Sequence, residues 1–527
     1  MQSLQPRATA PRWLVIVVAV IVVAGIFFRF YHLDRKVFWD DEVMGTVHML
    51  GYTEAEVVEA SPRFTTAADV QRFLHPPAQL RLGDTVHALA AEDPQHPPGY
   101  YLIERLWVQL FASSPAADRS LSAVFGVILL PCVYWLAAEL FGSSIIGLLA
   151  VALVAVSPLY VLYAQEAREY MLWLVAVTLD GVLFLRAART NGVAPWVGYG
   201  VVTALALYIF PLTGLVAIGL AIYLFVRERW RFTRPVLACL IADVAALAAF
   251  VPWLRVALSS HGLVSGMSGI ATRKLTAAAF LTTAGRDLRF PFFDVGIFRY
   301  GPVSSTLVNL VLTLIVVALV IVAFRALIRD WPFAVWGFIA IGFCLTIAPL
   351  ALKGQFIIQA RYFFPLLLGV QLAVAALLAG AMFARTTGGA VRRAGTAGFF
   401  VLLAGESLSC AISARADTLW TKDYQNSRAV AQAIGAAPKP VLVSDSYAAR
   451  TLGLSVYLDP QTPVRLELHC EQCTVQPPPH PDLMNTTGYE TVFYLQIPVA
   501  TNTGNVRWID PRPYPPKPDP LNLFLFV

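Results

Sequence analysis

The sequence predicts a polytopic α-helical membrane protein with about eleven transmembrane helices. A long first outer loop carrying interfacial helices and a small α/β domain near the C-terminal end complete the expected architecture. Three observations lead there: composition, the recurrence of apolar stretches of spanning length, and the alternation of basic residues between successive loops. Of 527 residues, 57% are hydrophobic and only 14% are charged, and the mean hydropathy is +0.64. Soluble domains carry about 25% charge, so an apolar surplus of this size must face lipid. A water-soluble globular chain and a disordered one are both excluded. The net charge of +6 fits orientation in the bilayer and contact with anionic headgroups, and no nucleic-acid partner is expected.

The first span, Trp13 to Phe28, follows Arg7 and Arg12 and ends in Arg29, Phe30 and Tyr31. Bulky aromatics stand where a cleavable signal needs small residues, so it reads as an uncleaved anchor. Ten further spans are expected near 121–141, 145–163, 170–186, 196–209, 212–226, 236–256, 304–324, 331–352, 361–384 and 396–413, and the pair around Pro211 could be one broken element. Arg186 and Arg189, then Arg227 to Arg234, then Arg325 and Arg329, then Arg385, Arg392 and Arg393 all fall on the N-terminal side, which the positive-inside rule makes cytoplasmic. The other side receives a first loop of about 34–99, a loop near 257–303, a short one near 353–360 and the tail. The expected division is a membrane domain over 1–413 and an extracytoplasmic domain over 414–527. Runs such as Pro440 to Ser444 and Val492 to Ile497 read as strands, and Pro511 through Pro520 as extended chain. No internal repeat is visible.

Cys132, Cys239, Cys344 and Cys410 lie in apolar spans, as packing thiols do. Cys470 and Cys473, with CxxC spacing in an outer tail, favour a local disulfide ahead of free thiols and of a metal site. Zinc would need a second ligand pair, and only His469 and His480 are near.

Four polar clusters stand at the outer ends of spans. Asp40, Asp41 and Glu42 are adjacent, a crowding that raises each acid's pKa unless a helix N-terminus, a cation or acid/base chemistry accounts for it. Gln95, His96, Pro97, Pro98, Gly99, Tyr100 and Tyr101 close the first loop and lead into an apolar stretch through Phe111, too short to cross and suited to an interfacial or re-entrant helix. Tyr163 to Tyr170 brings Gln165, Glu166, Arg168 and Glu169 to the outer mouth, with Glu166 and Tyr170 four apart on one expected helix face. An ordinary interfacial charge belt with tyrosine anchors explains that cluster equally well. Gln359, Ala360, Arg361 and Tyr362 form the fourth. Asp180 and Asp243 fall in the inner halves of spans, where pairing with neighbouring helices is the better reading, and Glu406 stays undecided.

An Asp-Glu pair after the first span, a His-Pro-Pro-x-Tyr-Tyr loop ending, Gln-Glu-Ala-Arg-x-Tyr after the third span and Ala-Arg-Tyr-x-x-Pro occur in that order. The set resembles the GT-C glycosyltransferases of family 39 and its bacterial relatives, the group of protein O-mannosyltransferases and lipid A aminoarabinose transferases, over about residues 13–384. The resemblance implies a GT-C fold and inverting transfer of one sugar from a polyprenyl-phosphate donor to an acceptor on the outer face. It makes Asp41 the general base, with Glu42 beside it and Asp40 as an extra acid. His96, Arg168 and Arg361 become partners of the donor phosphate, Glu166 orients Arg168 or the acceptor, and Tyr100, Tyr170 and Tyr362 line the substrate site. Met44 stands where some relatives carry an arginine, and Gln95 where lipid A transferases carry an acid. The second departure removes a possible metal ligand, so no fixed metal is expected there, and divalent-metal dependence is left open.

The physical chemistry points the same way. A lipid-tailed donor presents its phosphate at headgroup depth, so loops at span ends can reach both phosphate and acceptor. Phosphate leaves readily once cations meet its charge, and a hydroxyl acceptor gains about 10²- to 10⁴-fold from a carboxylate base. The expected partners are thus a membrane-lipid donor and a glycan, lipid or protein acceptor, in a bacterial inner membrane with the N-terminus cytoplasmic, and no protein cofactor beyond the lipid-linked sugar. All four clusters are expected to meet in one exterior pocket. The alternative, a multi-span transporter or lipid flippase, predicts midplane ionisable groups and repeat symmetry. A polymer-assembling or ligating enzyme would instead require a diphosphate-linked oligosaccharide.

Overall fold

The computed structural model describes residues 10–76, 81–111, 113–259, 276–294, 304–327, 359–416, 427–470, 491–495 and 506–508, with scattered positions within 334–347 and 473–490. Helix α1 (Arg12–Phe30) is followed by α2 (Asp40–Leu50), α3 (Glu54–Ala60), α4 (Ala67–Gln71), α5 (Leu82–Glu92) and α6 (Gly99–Phe111). Then come α7 (Pro115–Phe141), α8 (Ser144–Ala155), α9 (Pro158–Ala164), α10 (Tyr170–Thr190), α11 (Val193–Ile209), α12 (Thr213–Arg227) and α13 (Arg234–Ser259). Helices α14 (Ala277–Arg289), α15 (Ser304–Leu327), α16 (Phe364–Phe383) and α17 (Gly389–Ala414) lead to the tail, which holds α18 (Ser427–Ala436), β1 (Pro440–Ser444), α19 (Ala448–Ser455), β2 (Val464–Leu466), β3 (Thr491–Leu495) and β4 (Val506–Trp508).

Two compact units result. One comprises Met1–Leu33, Arg119–Arg255 and Ser268–Arg415; the other comprises Asp34–Asp118, Val256–Met267 and Ala416–Val527. The stretch expected as a first loop, about 34–99, groups with the tail and not with the spanning helices.

In the first unit the apolar surface is turned outward. Ile16, Val20 and Val23 of α1 are 63%, 63% and 67% exposed, a cost in water that lipid removes. Among the described residues, seven helices are long and apolar enough to cross a bilayer, or eight if α8 and α9 are taken as one broken span. The count of eleven is not reached on that criterion: α11 and α12 have only 17 and 15 residues, and most of 331–352 lies outside the described residues. The expected straight span 145–163 is bent by 59° between α8 and α9, where Pro158 opens the second piece and disfavours helix in the residue before it. Carbonyls released by the break are met by buried Arg29, which donates to Val154 O at 3.1 Å and also to Ala155 O. Gly25 permits the approach of α1, because a Cβ there would stand 2.2 Å from Ala155 O. Asp180 accepts from Thr203 Oγ1 at 2.8 Å and Asp243 from the Tyr199 hydroxyl at 2.7 Å, the interhelical pairing the sequence reading favoured for both. Glu406 is fully buried in α17.

In the second unit the sheet order is β2-β1-β3-β4, parallel except for the antiparallel β3–β4 pair. The strand expected at Pro440–Ser444 is β1, and β3 overlaps the one expected from Val492; 511–520 lies outside the described residues. Leu442, Leu466 and Phe493 of the strands share a core with Val43 and Val47 of α2, Val57 of α3, Val70 of α4 and Leu452 of α19. Backbone bonds join the two stretches: Ala67 N donates to Thr462 O at 2.8 Å and Val464 N to Thr65 O at 2.9 Å. Phe38 N donates to the Tyr457 hydroxyl at 2.9 Å, which fixes the chain where it enters α2.

Candidate functional site

In the second unit, α2 opens with Asp40, Asp41 and Glu42 in its first turn. Three carboxylates there face the positive end of the helix dipole, which offsets part of their mutual repulsion. Glu42 is buried, whereas Asp40 and Asp41 are half-exposed and so open to a solute. Arg450, on α19, places Nε 3.8 Å from Asp40 Oδ2.

Farther along the loop, His96 lies 3.9 Å from Asp93 Oδ2 and edge-on to Tyr101. The loop thus supplies this histidine with a carboxylate three residues earlier, although its immediate neighbour is Gln95. Pro97 and Pro98 precede α6, a helix of 13 residues, as short as the sequence led one to expect. The buried Tyr100 hydroxyl donates to Glu104 Oε1 at 3.3 Å.

In the first unit the turn between α9 and α10 carries the third cluster. Residues 165–169 are not helical, so the expected helix face shared by Glu166 and Tyr170 does not form; Pro158 starts a helix of only seven residues, which ends at Ala164. Gln165 ties the turn to the end of α1, donating to Phe28 O at 2.7 Å and Tyr31 O at 3.0 Å. Arg168 pairs with Glu169 at 3.3 Å, while Glu166 offers Arg168 its backbone carbonyl at 2.9 Å. Arg361 stands in a short 3₁₀ turn, Ala360–Phe363, ahead of α16. Its Cζ lies 5.0 Å from the centroid of the Tyr170 ring and 5.3 Å from that of Tyr362. Arg168 approaches the same Tyr170 ring, at 5.9 Å, and Tyr362 stacks on Phe210 at 6.0 Å. Two buried guanidinium groups distant in sequence therefore approach one aromatic ring, and cation–π attraction offsets part of their lost hydration.

Asp287, on α14 outside the spans, belongs to the same neighbourhood: it, Glu166, Arg361 and Tyr362 all lie within electrostatic reach of the Tyr163 hydroxyl. Burial pushes its carboxyl up to about 6, against the opposing pull of Arg286 at 3.0 Å.

Cys470 and Cys473 form a disulfide. Among the described residues, the group of metal-ligating atoms found close together is these two sulfurs with Glu54; sulfurs consumed in a disulfide are poor ligands.

The sequence reading singled out neither Asp93 nor Glu169 as a partner, although each stands within three residues of the side chain it meets. Asp287 and Arg450 carried no signal at all, since nothing in their local sequence relates them to the motifs.

The apolar helices define an integral membrane protein, with the acid triplet in one unit and the arginines around Tyr170 in the other. Residues 95–255, from the loop ahead of α6 to α13, match the family described as dolichyl-phosphate-mannose-protein mannosyltransferase. No protein of curated function matches the sequence. Among solved structures, ArnT from Cupriavidus metallidurans bound to undecaprenyl phosphate is similar at 15% identity and a TM-score of 0.48, covering 87% of this chain and 86% of that one. The Archaeoglobus fulgidus oligosaccharyltransferase tethered with an acceptor peptide is similar at 13% identity and a TM-score of 0.46, covering 89% of this chain. This chain spans about 61% of that enzyme's length. The arabinosyltransferase EmbB from Mycobacterium smegmatis is similar at 15% identity and a TM-score of 0.37, covering 85% of this chain and 41% of that one.

Proposed function

We propose that the protein transfers one monosaccharide from a polyprenyl-phosphate donor to an acceptor on the outer face of the membrane, with inversion at the anomeric carbon. The supporting observation is the pair Arg168 and Arg361 stacked on Tyr170 beside the ends of apolar helices. A guanidinium fork suits a phosphate monoanion at headgroup depth, and meeting the phosphate charge makes it a leaving group without a proton donor. Asp41, half-exposed in the first turn of α2, accepts the proton of the acceptor hydroxyl as that oxygen attacks the anomeric carbon and the C–O bond to phosphate breaks. Glu42 and Asp40 set its electrostatic surroundings, His96 and Tyr100 serve the donor side, and Glu166 and Tyr362 shape the pocket around the arginines. The polypeptide crosses the membrane eleven times in this reading, in a bacterial inner membrane, with the N-terminus cytoplasmic and the 414–527 tail extracytoplasmic.

The test is to incubate purified protein with a panel of undecaprenyl-phosphate monosaccharides and follow release of undecaprenyl phosphate. Asp41→Asn should lower release by about 10²- to 10⁴-fold with unchanged expression and melting. A fully active variant removes Asp41 as the base, and a panel without any turnover removes the donor class.

A further inference from the structure

The tail reaches the acid triplet directly. Helix α19 packs across the start of α2: a Cβ at Gly453 would stand 3.1 Å from Phe38 O and 3.4 Å from Val43 Cγ2. Ala448, Ala449 and Leu452 of the same helix are buried in the core they share with α2. Arg450 lies one turn before Gly453 and so projects toward the same end of α2, where Nε comes 3.8 Å from Asp40 Oδ2, both side chains remaining partly exposed at 25% and 20%. Tyr447, three residues earlier, flanks the guanidinium, its ring centroid 5.9 Å from Cζ.

Local preference does not explain an arginine there. Arg450 is the third residue of α19, and a cation in the first turn of a helix opposes the dipole. What offsets that penalty is the carboxylate cluster at the equally positive end of α2. Met44, in the second turn of α2, is 3% exposed and packed in the core, so that position brings no cation there.

We infer that Arg450 is a positioning residue for the acid triplet. It holds Asp40 aside and offsets its charge, so that Asp41 meets the acceptor as the reacting carboxylate. Ion pairing with one of two adjacent acids relieves the repulsion that would otherwise drive the other toward its protonated, unreactive form. The inference rests on the proposed transfer reaction, and it makes the tail part of the catalytic apparatus.

The experiment uses the full chain with undecaprenyl-phosphate mannose as the first probe donor, replaced by another panel member if that one turns over faster. Arg450→Met should move the acidic limb of the kcat–pH profile up by about one unit, so that kcat falls several-fold near pH 4.5 and little at pH 7, with donor KM and melting temperature unchanged. Arg450→Lys should keep kcat within about threefold, because charge and not the guanidinium fork is what Asp40 needs. The double variant Asp40→Asn with Arg450→Met should recover most of the rate lost in Arg450→Met. An Arg450→Met enzyme whose kcat–pH profile coincides with that of the parent overturns the inference, and so does a variant depressed equally at every pH that neither Lys nor the double change rescues, since a purely structural role would behave that way. Retained activity of Asp41→Asn would instead strike the transfer reading.

Discussion

Glu92 is the last residue of α5, and its carboxylate gathers three donors: Glu54 N at 2.5 Å, Ala55 N at 2.9 Å and His48 Nε2 at 3.0 Å. It thus joins α2, the start of α3 and the end of α5 at one point in the second unit. Glu92→Ala takes this acceptor from Glu54 N–H and from His48, both in residues that are 0% exposed. Each buried polar group deprived of its partner costs about 1–3 kcal/mol, so the variant should lose roughly 2–6 kcal/mol. Helix α3 itself should persist, because the Thr53–Glu56 capping box is independent of Glu92. Glu92→Gln keeps one carbonyl acceptor but turns an amide toward the remaining donors, and should lose about half as much. The assay is the apparent melting temperature of the full chain in nanodiscs. A shift of several degrees for Ala and an intermediate one for Gln are expected, beside exposed Glu59→Ala as a control within about 0.5 kcal/mol. Coincident melting of Glu92→Ala and the parent protein would refute the reasoning.

Two further expectations concern the membrane unit. Arg361→Lys keeps the charge but loses the planar contact with Tyr170 and Tyr362, so kcat/KM for the lipid-linked donor should fall about 10- to 100-fold with little change in melting; an unimpaired variant would remove the stacked guanidinium from the donor site. Asp287 has its folded pKa raised to about 6 by burial, so the folded state favours the protonated acid, and ionising it as pH rises through 6 destabilises the fold. Asp287→Asn should therefore be more stable than the parent at pH 8, by on the order of 3 kcal/mol, and this gain should shrink as pH falls from 6 toward 4. A pH-independent difference in melting would show that the carboxyl is not the source.

Much was legible in the sequence because the bilayer imposes simple rules. A lipid-facing segment must satisfy its backbone internally and stay apolar, so α1, α7, α10, α13, α15, α16 and α17 stand where hydropathy alone sets them. The acid triplet, His96, Arg168 and Arg361 were also visible, since charge at the edge of an apolar run is conspicuous. The bend between α8 and α9 was signalled by Pro158 yet missed, because hydropathy does not register backbone direction.

Sequence by itself determined the class of molecule, the places where helices cross, and which charged residues stand at their ends. Only the tertiary structure decided which of those residues keep company. Thr65 pairs with Val464, Phe38 with Tyr457, Asp40 with Arg450 and Arg361 with Tyr170. The physical reason lies in range: hydropathy and helix propensity act over a few residues, whereas core packing and ion pairing join groups that are adjacent only after the chain has folded.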